Sequence, residues 1–232
     1  MKSMVNKSVN RNVDCSLELS DFEIKFSFHR RLLDDDLNDF ITKVTGHLRA
    51  FNENTEKFDI PVGRIFVYRI EIARALEQGE SIWQIFDSQD SELADYYSNL
   101  FNEDDFSDNL QNIVEPGFGT DLLIVDRVEI LKDFRGLNLG LILALRAIES
   151  FSDGCGYIAL RPCPLQFGPY RHKEAEKLQL MGYDQFSKNE AEAFKNLCRH
   201  WGKIGFVQIG SSTVYIKSPA LENPSIEKLF AK

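Results

Sequence analysis

The chain has 232 residues, 43% of them hydrophobic, and carries 36 acidic against 27 basic side chains for a net charge of −9. That length is enough to bury a sizeable core, and 18 phenylalanines argue against a disordered chain. The acidic balance works against nucleic acid or an anionic membrane surface as a main partner; it favours neutral or cationic small substrates, or simply keeps the protein in solution.

Residues 1–16 are polar, lack the apolar stretch of a signal peptide and are expected to form a flexible segment ahead of a single domain over 17–232. "DFEIKFSFHRRL" alternates Phe22, Ile24, Phe26 and Phe28 with polar residues, the pattern of a half-buried strand. "DDDLNDFITKVTGHLRAF" places Leu37, Phe40, Ile41, Val44 and Leu48 at helical spacing behind Asp34 to Asp36, and predicts a helix. "VGRIFVYRIEI" reads as a second strand. "IARALEQGES" and "SELADYYSNLF" read as two short helices, with Tyr96 and Tyr97 either lining a pocket or packing on the core. The stretch "NEDDFSDNLQNIVEPGFGTD" is acidic and turn-rich, a surface loop.

"DLLIVDRVEIL" is the strongest strand, dominated by Leu, Ile and Val, with Asp126, Arg127 and Glu129 as unusual interior charges. A helix over Leu139 to Phe151 follows, apolar nearly all round and therefore buried. "CGYIALRPCPL" is a further buried strand stopped by Pro162 and Pro164. "SKNEAEAFKNLCRHW" is a helix with Ser187 and Glu190 at capping-box spacing, and "GFVQIGSSTVYIK" is a hairpin around Gly210. The order predicts a mixed α/β domain with one central sheet flanked by helices.

The segment between the strongest strand and the apolar helix is Arg135-Gly136-Leu137-Asn138-Leu139-Gly140. A glycine-bearing loop that opens a buried helix aims unpaired N–H groups and the positive end of the helix dipole at one spot, an anion site. Arg135 and Lys132 add charge, and neither G-x-x-x-x-G-K-[ST] nor G-x-G-x-x-G is present. The segment resembles the acetyl-CoA loop of the GNAT superfamily of N-acetyltransferases, Q/R-x-x-G-x-G/A, with Arg135 first, Gly140 last and Asn138 in place of the middle glycine. Asn tolerates a left-handed backbone better than most residues. "VEILKDFRGLNLGLILALRAIE" looks like the family's strand–loop–helix, and "WGKIGF" like its late helix running into a "GF" strand. The likeness covers Leu122 to Lys217, with a core over about 120–217; the segment up to Phe186 is longer than the family's connection.

The resemblance implies a central mixed sheet that splays, acetyl-CoA as co-substrate without a metal, and direct attack by a primary amine, free or on a peptide, in a ternary complex. It implies that the pyrophosphate sits on the amides of Gly136, Leu137, Asn138, Leu139 and Gly140, with Arg135 beside it. The pantetheine arm would pair with Val128, Glu129 and Ile130 like an added strand, an amide near Ile130 polarising the thioester carbonyl. Asp126 or Glu129 would be the base; a structural ion pair with Arg127 or Arg161 is the alternative for each. The family's tyrosine acid falls at Trp201, which is no acid, so His200, Tyr170 or water would serve the leaving thiolate. The basic cluster Arg171-His172-Lys173 is a solvated face or a 3′-phosphate contact. Trp201 and Asn138 also suit a second reading, an acyl-CoA-binding sensor that has lost catalysis.

Cys15, Cys155, Cys163 and Cys198 form no C-x-x-C pair and are expected to be reduced, in a cytoplasmic setting. No apolar run reaches membrane-spanning length, and pairing as a homodimer is left open.

Overall fold

The computed structural model describes residues 17–32, 36–88, 91–167 and 179–230. Residues 1–16, Tyr170 and His172 lie outside the described residues.

Seven strands form one mixed sheet in the order β1-β2-β3-β6-β7-β9-β8. They are β1 (Phe22–Phe28), β2 (Ile41–Asn52), β3 (Lys57–Ile70), β6 (Asp121–Ile130), β7 (Cys155–Leu160), β8 (Val207–Gln208) and β9 (Tyr215–Lys217); β4 (Phe101–Asn102) and β5 (Asp105–Phe106) make a separate small hairpin. Only β6 and β7 run parallel, joined by helix α5 (Leu139–Phe151) as a crossover. The helices α1 (Ile72–Glu77), α2 (Ile82–Asp87), α3 (Ser91–Leu100) and α4 (Asp108–Gln111) precede β6, and α6 (Glu190–Gly202) and α7 (Ile226–Phe230) come late.

Alternation along β6 divides the core. Leu123 and Val125 pack with α5, α6 and α7 on one face, while Leu122 and Ile124 pack with α1, α2 and α3 on the other. The apolar α5 buries eight side chains, among them Leu141, Leu143 and Leu145. Its far end is pinned: Arg69 donates to the Phe151 carbonyl at 3.4 Å and pairs with Asp121 at 3.0 Å. Asp121 in turn accepts from the Ala73 amide at the start of α1.

The predicted helix over Asp34 to Phe51 is instead a short 3-10 turn at Leu37–Phe40 followed by β2, the long strand between β1 and β3. Val44, Gly46, Leu48 and Ala50 are buried and the residues between them exposed or half-buried, a period of two. The spacing of Val44 and Leu48 fits both periods; Ile41, Thr42, Val44 and Thr45 are β-branched and prefer the strand. Gly46 settles the contest. A Cβ there would lie 2.6 Å from Ile65 and 2.7 Å from Phe26, so the strand needs the glycine that a helix would disfavour by about 1 kcal/mol.

Three smaller differences follow from local chemistry. Helix α2 lies between the two helices expected there, and the acidic loop holds β4, β5 and α4. Strand β7 ends at Leu160, before the prolines. The expected capping box at Ser187 and Glu190 is not formed: Asn189 is the cap, accepting from the Glu192 amide at 3.1 Å, and Ser187 bonds the Glu192 carboxylate.

Candidate functional site

Strands β6 and β7 share a ladder only from Asp121 to Val125, which faces Leu160. Beyond it Pro162 and Pro164 cannot donate to a ladder, and among the described residues the C-terminal half of β6 has no strand on that side. A cavity of about 890 Å³ opens there. Its walls are β6 from Val125 onward, the segment Leu160 to Gln166, α3, the loop before α5, and α6. That size is in the range of small-molecule sites.

A β-bulge sits at the opening. Phe66 of β3 faces Arg127 and Val67 faces Val125, so Asp126 is the extra residue. The extra residue reverses the alternation: Leu123 and Val125 face α5 before it, Val128 and Ile130 after it. Asp126 and Glu129, on opposite faces of a regular strand, therefore both turn away from α5. Their surroundings then differ. Asp126 lines the cavity beside Tyr96. Glu129 is only 4% exposed, is held by Arg64 at 2.5 Å with Arg127 at 3.8 Å, and does not line the cavity. Arg64 and Arg127 both lie over the Phe66 ring. The structural alternative thus describes Glu129, with Arg64 as the partner sequence reasoning missed. Arg161, the other partner considered, binds Asp95 at 2.8 Å.

The loop ahead of α5 turns on two residues with positive φ. Gly136 has φ +88°, a conformation an L side chain rarely adopts. Asn138 caps α5 in the left-handed region, φ 53° and ψ 20°. Its side chain caps nothing and donates to the Leu229 carbonyl at 2.8 Å, anchoring the loop to α7. The Asn138 carbonyl accepts from Leu141 and Ile142, but the five amides from Gly136 to Gly140 meet no acceptor among the described residues. Gly140 stands over Val128 and Ile130, where an added Cβ would make ordinary contacts of 3.5 and 3.6 Å.

Arg135 closes this end of the cavity. It donates to the carbonyls of Ile130, Gly182 and Met181 and lies over the Phe186 ring at 4.3 Å. No carboxylate pairs with it among the described residues, and burial lowers its pKa. Among the described residues a cation without a carboxylate partner therefore sits beside five N–H donors without an acceptor, which favours a bound anion.

The other end is acidic and aromatic. Glu92, Asp95 and Tyr96, spaced to share one side of α3, reach the cavity with Glu190 of α6. Tyr96 is both core and wall, 4% exposed. Burial and then the Asp126 carboxylate raise its pKa. His200 and Trp201 line the wall from α6. Burial, with Lys203 second, lowers His200 to about 4. It is thus neutral at ordinary pH and offers no imidazolium proton. Cys163 is raised, first by burial and then by Glu92, and Cys155 is pushed up to about 12, so neither is primed as a thiolate nucleophile. No helix among the described residues is long and apolar enough to cross a membrane.

Sequence reasoning had no means of placing Tyr183, Met181 or Phe186 at the cavity. They come from the long connection before α6, and the Arg135 fork brings them in. No family model matches the chain, and neither a curated protein nor a solved structure is detectably similar to it.

Proposed function

We propose that the chain is a cytoplasmic N-acetyltransferase that takes an acetyl group from acetyl-CoA and delivers it to a primary amine by direct attack. The observation that carries this reading is that, among the described residues, the amides from Gly136 to Gly140 have no partner, the edge of β6 beside them is open, and no carboxylate pairs with Arg135. The amides and Arg135 suit a pyrophosphate; Val128 to Ile130 offer a strand edge for an extended amide-bearing arm. Bound acetyl-CoA supplies an activated acyl thioester. The chain's residues orient it at the gap between β6 and β7, and Asp126 takes the amine's proton. Acceptors would enter on the α3 side, where Glu92, Asp95, Asp126 and Glu190 favour a cation.

Binding of CoA, measured by calorimetry, tests the reading: micromolar binding that Gly140→Val weakens without unfolding the protein supports it, and unchanged affinity in that variant overturns it. Trp201, 8% exposed on the cavity wall, sustains a second reading as an acyl-CoA sensor without catalysis. Acetyl transfer assayed over a panel of primary amines separates the two.

A further inference from the structure

We infer that the free edge of β1 receives a second copy of this chain, strand against strand about a two-fold axis at Ile24, so that one sheet runs through both molecules.

The two edges of the sheet are built differently. β8 presents only Val207 and Gln208, too short to template another strand. β1 presents seven residues, and among the described residues nothing pairs with its outer side. It also lacks the usual protections of an edge. Its sequence has no proline, and it pairs with β2 residue for residue from Phe22 to Phe28 without a bulge. The rings on its apolar face are already fixed. Phe22 packs edge-on against Phe134 and Phe230, and Phe26 against Phe151. Both rings stay half-buried. A second cavity, of about 310 Å³, lies at this edge between Phe22 and Ile24 of β1 and Ile142 and Leu143 of α5. A half-covered aromatic row beside an unfilled apolar space marks a site of protein contact.

The charges choose the occupant. A lysine in the middle of an edge strand ordinarily deters an added strand, and Lys25 stands there. Glu23, two residues away on the same face, reverses that effect for one partner only. In a two-fold antiparallel pair, the residue on the axis sets which side chains stand opposite one another. With Glu23 or Lys25 on the axis, like charges would meet. With Ile24 on the axis, Glu23 of each copy faces Lys25 of the other, Phe22 faces Phe26, and Ile24 meets itself. Opposite charges and aromatic pairs directly across two strands stabilise the pairing. Read backwards, Phe22 to Phe26 becomes Phe-Lys-Ile-Glu-Phe, the charge complement of the same five residues read forwards. Within its own chain Glu23 is opposite Arg49 of β2, so in the pair it lies between two cations.

Sedimentation of the full chain over roughly 1 to 200 µM, the range suited to a small interface, tests the assignment. A reversible dimer is expected. Glu23 and Lys25 are exposed, so their reversal should leave the far-ultraviolet circular dichroism of the protein unchanged. Lys25→Glu and Glu23→Lys move the net charge in opposite directions, yet each should raise the dissociation constant about tenfold by setting like charges across the axis. The double variant Glu23→Lys/Lys25→Glu restores the opposition with its signs exchanged and should return to within about threefold of the wild type. A wild-type chain that stays monomeric over the whole range overturns the assignment. So does a dimer whose dissociation constant either single reversal leaves unchanged, or a double variant no tighter than the single ones.

Discussion

The two halves of β6 are one strand with two occupations. From Asp121 to Val125 it is buried throughout, and from Leu122 onward it is paired on both sides. Asp126 is the unpaired bulge residue, and from Arg127 to Ile130 the strand is paired, among the described residues, with β3 alone; in this half only Glu129 is buried. Five residues of the first half hold the sheet together; five of the second leave one edge, one carboxylate and one cavity wall for a ligand. The bulge at Asp126 is the boundary, and the prolines after β7 enforce it from the other side. The contrast shows how a strand can be central to a core and still present free backbone to a small molecule.

Substitutions on either side of that boundary should therefore fail in different assays. The largest effect belongs to Asp126→Asn: turnover should fall about 10²–10⁴-fold, most at low pH, with CoA affinity nearly intact. A pH–rate profile that does not change would place the base elsewhere. In the first half, Leu123→Ala should lower unfolding free energy by about 2–5 kcal/mol in urea titration, because the side chain is fully buried against α5. Glu129→Gln should behave as a stability change despite lying in the second half. It weakens the bond to Arg64, whose side chain is 37% exposed, so a loss of about 1–2 kcal/mol is expected after solvent screening. An acetyl-transfer defect there with unchanged stability would contradict the division drawn between the two carboxylates. Gly140→Val should cost CoA about tenfold in affinity, roughly 1.4 kcal/mol, while Arg135→Ala costs less because the amides carry most of the contact.

The smallest effect is a pH slope. His200 titrates near 4 in the folded protein against an ordinary 6.5. The unfolded chain then binds the proton first, so this residue's contribution is present above pH 6.5 and is lost as pH falls toward 4. His200→Gln should flatten that part of the stability curve by about 1 kcal/mol, allowing for partial solvent access.

Much of this organisation is legible in the sequence, for physical reasons that differ by segment. The run Leu122 to Val125 has no polar residue and no helix period, so it states a buried strand outright. The loop declares itself through Gly136 and Gly140, and the left-handed Asn138 follows from asparagine's tolerance of that backbone. β2 was misread as helix because a few apolar positions fit both periods, and the strand pairing that decides between them is not local. The fate of Glu129 was equally hidden. It depends on Arg64, far back in the chain, and on a bulge that shifts parity by one residue. Tyr96 looked like an aromatic core residue and is one; that it also walls the cavity depends on β7 stopping short.

The clamp on the far end of α5 bears on how firmly the proposed phosphate loop is aimed. A helix of 13 residues is about 20 Å long, and its hydrogen-bonded axis transmits displacement with little compression. Arg69 fixes the terminal carbonyl at Phe151 to Asp121 and so, through Ala73, to α1. The helix is thereby denied axial play, and its first amides keep a constant height above Val128 and Ile130. Arg69, which does not line the cavity, acts as the backstop against which the proposed anion-binding end of α5 is held.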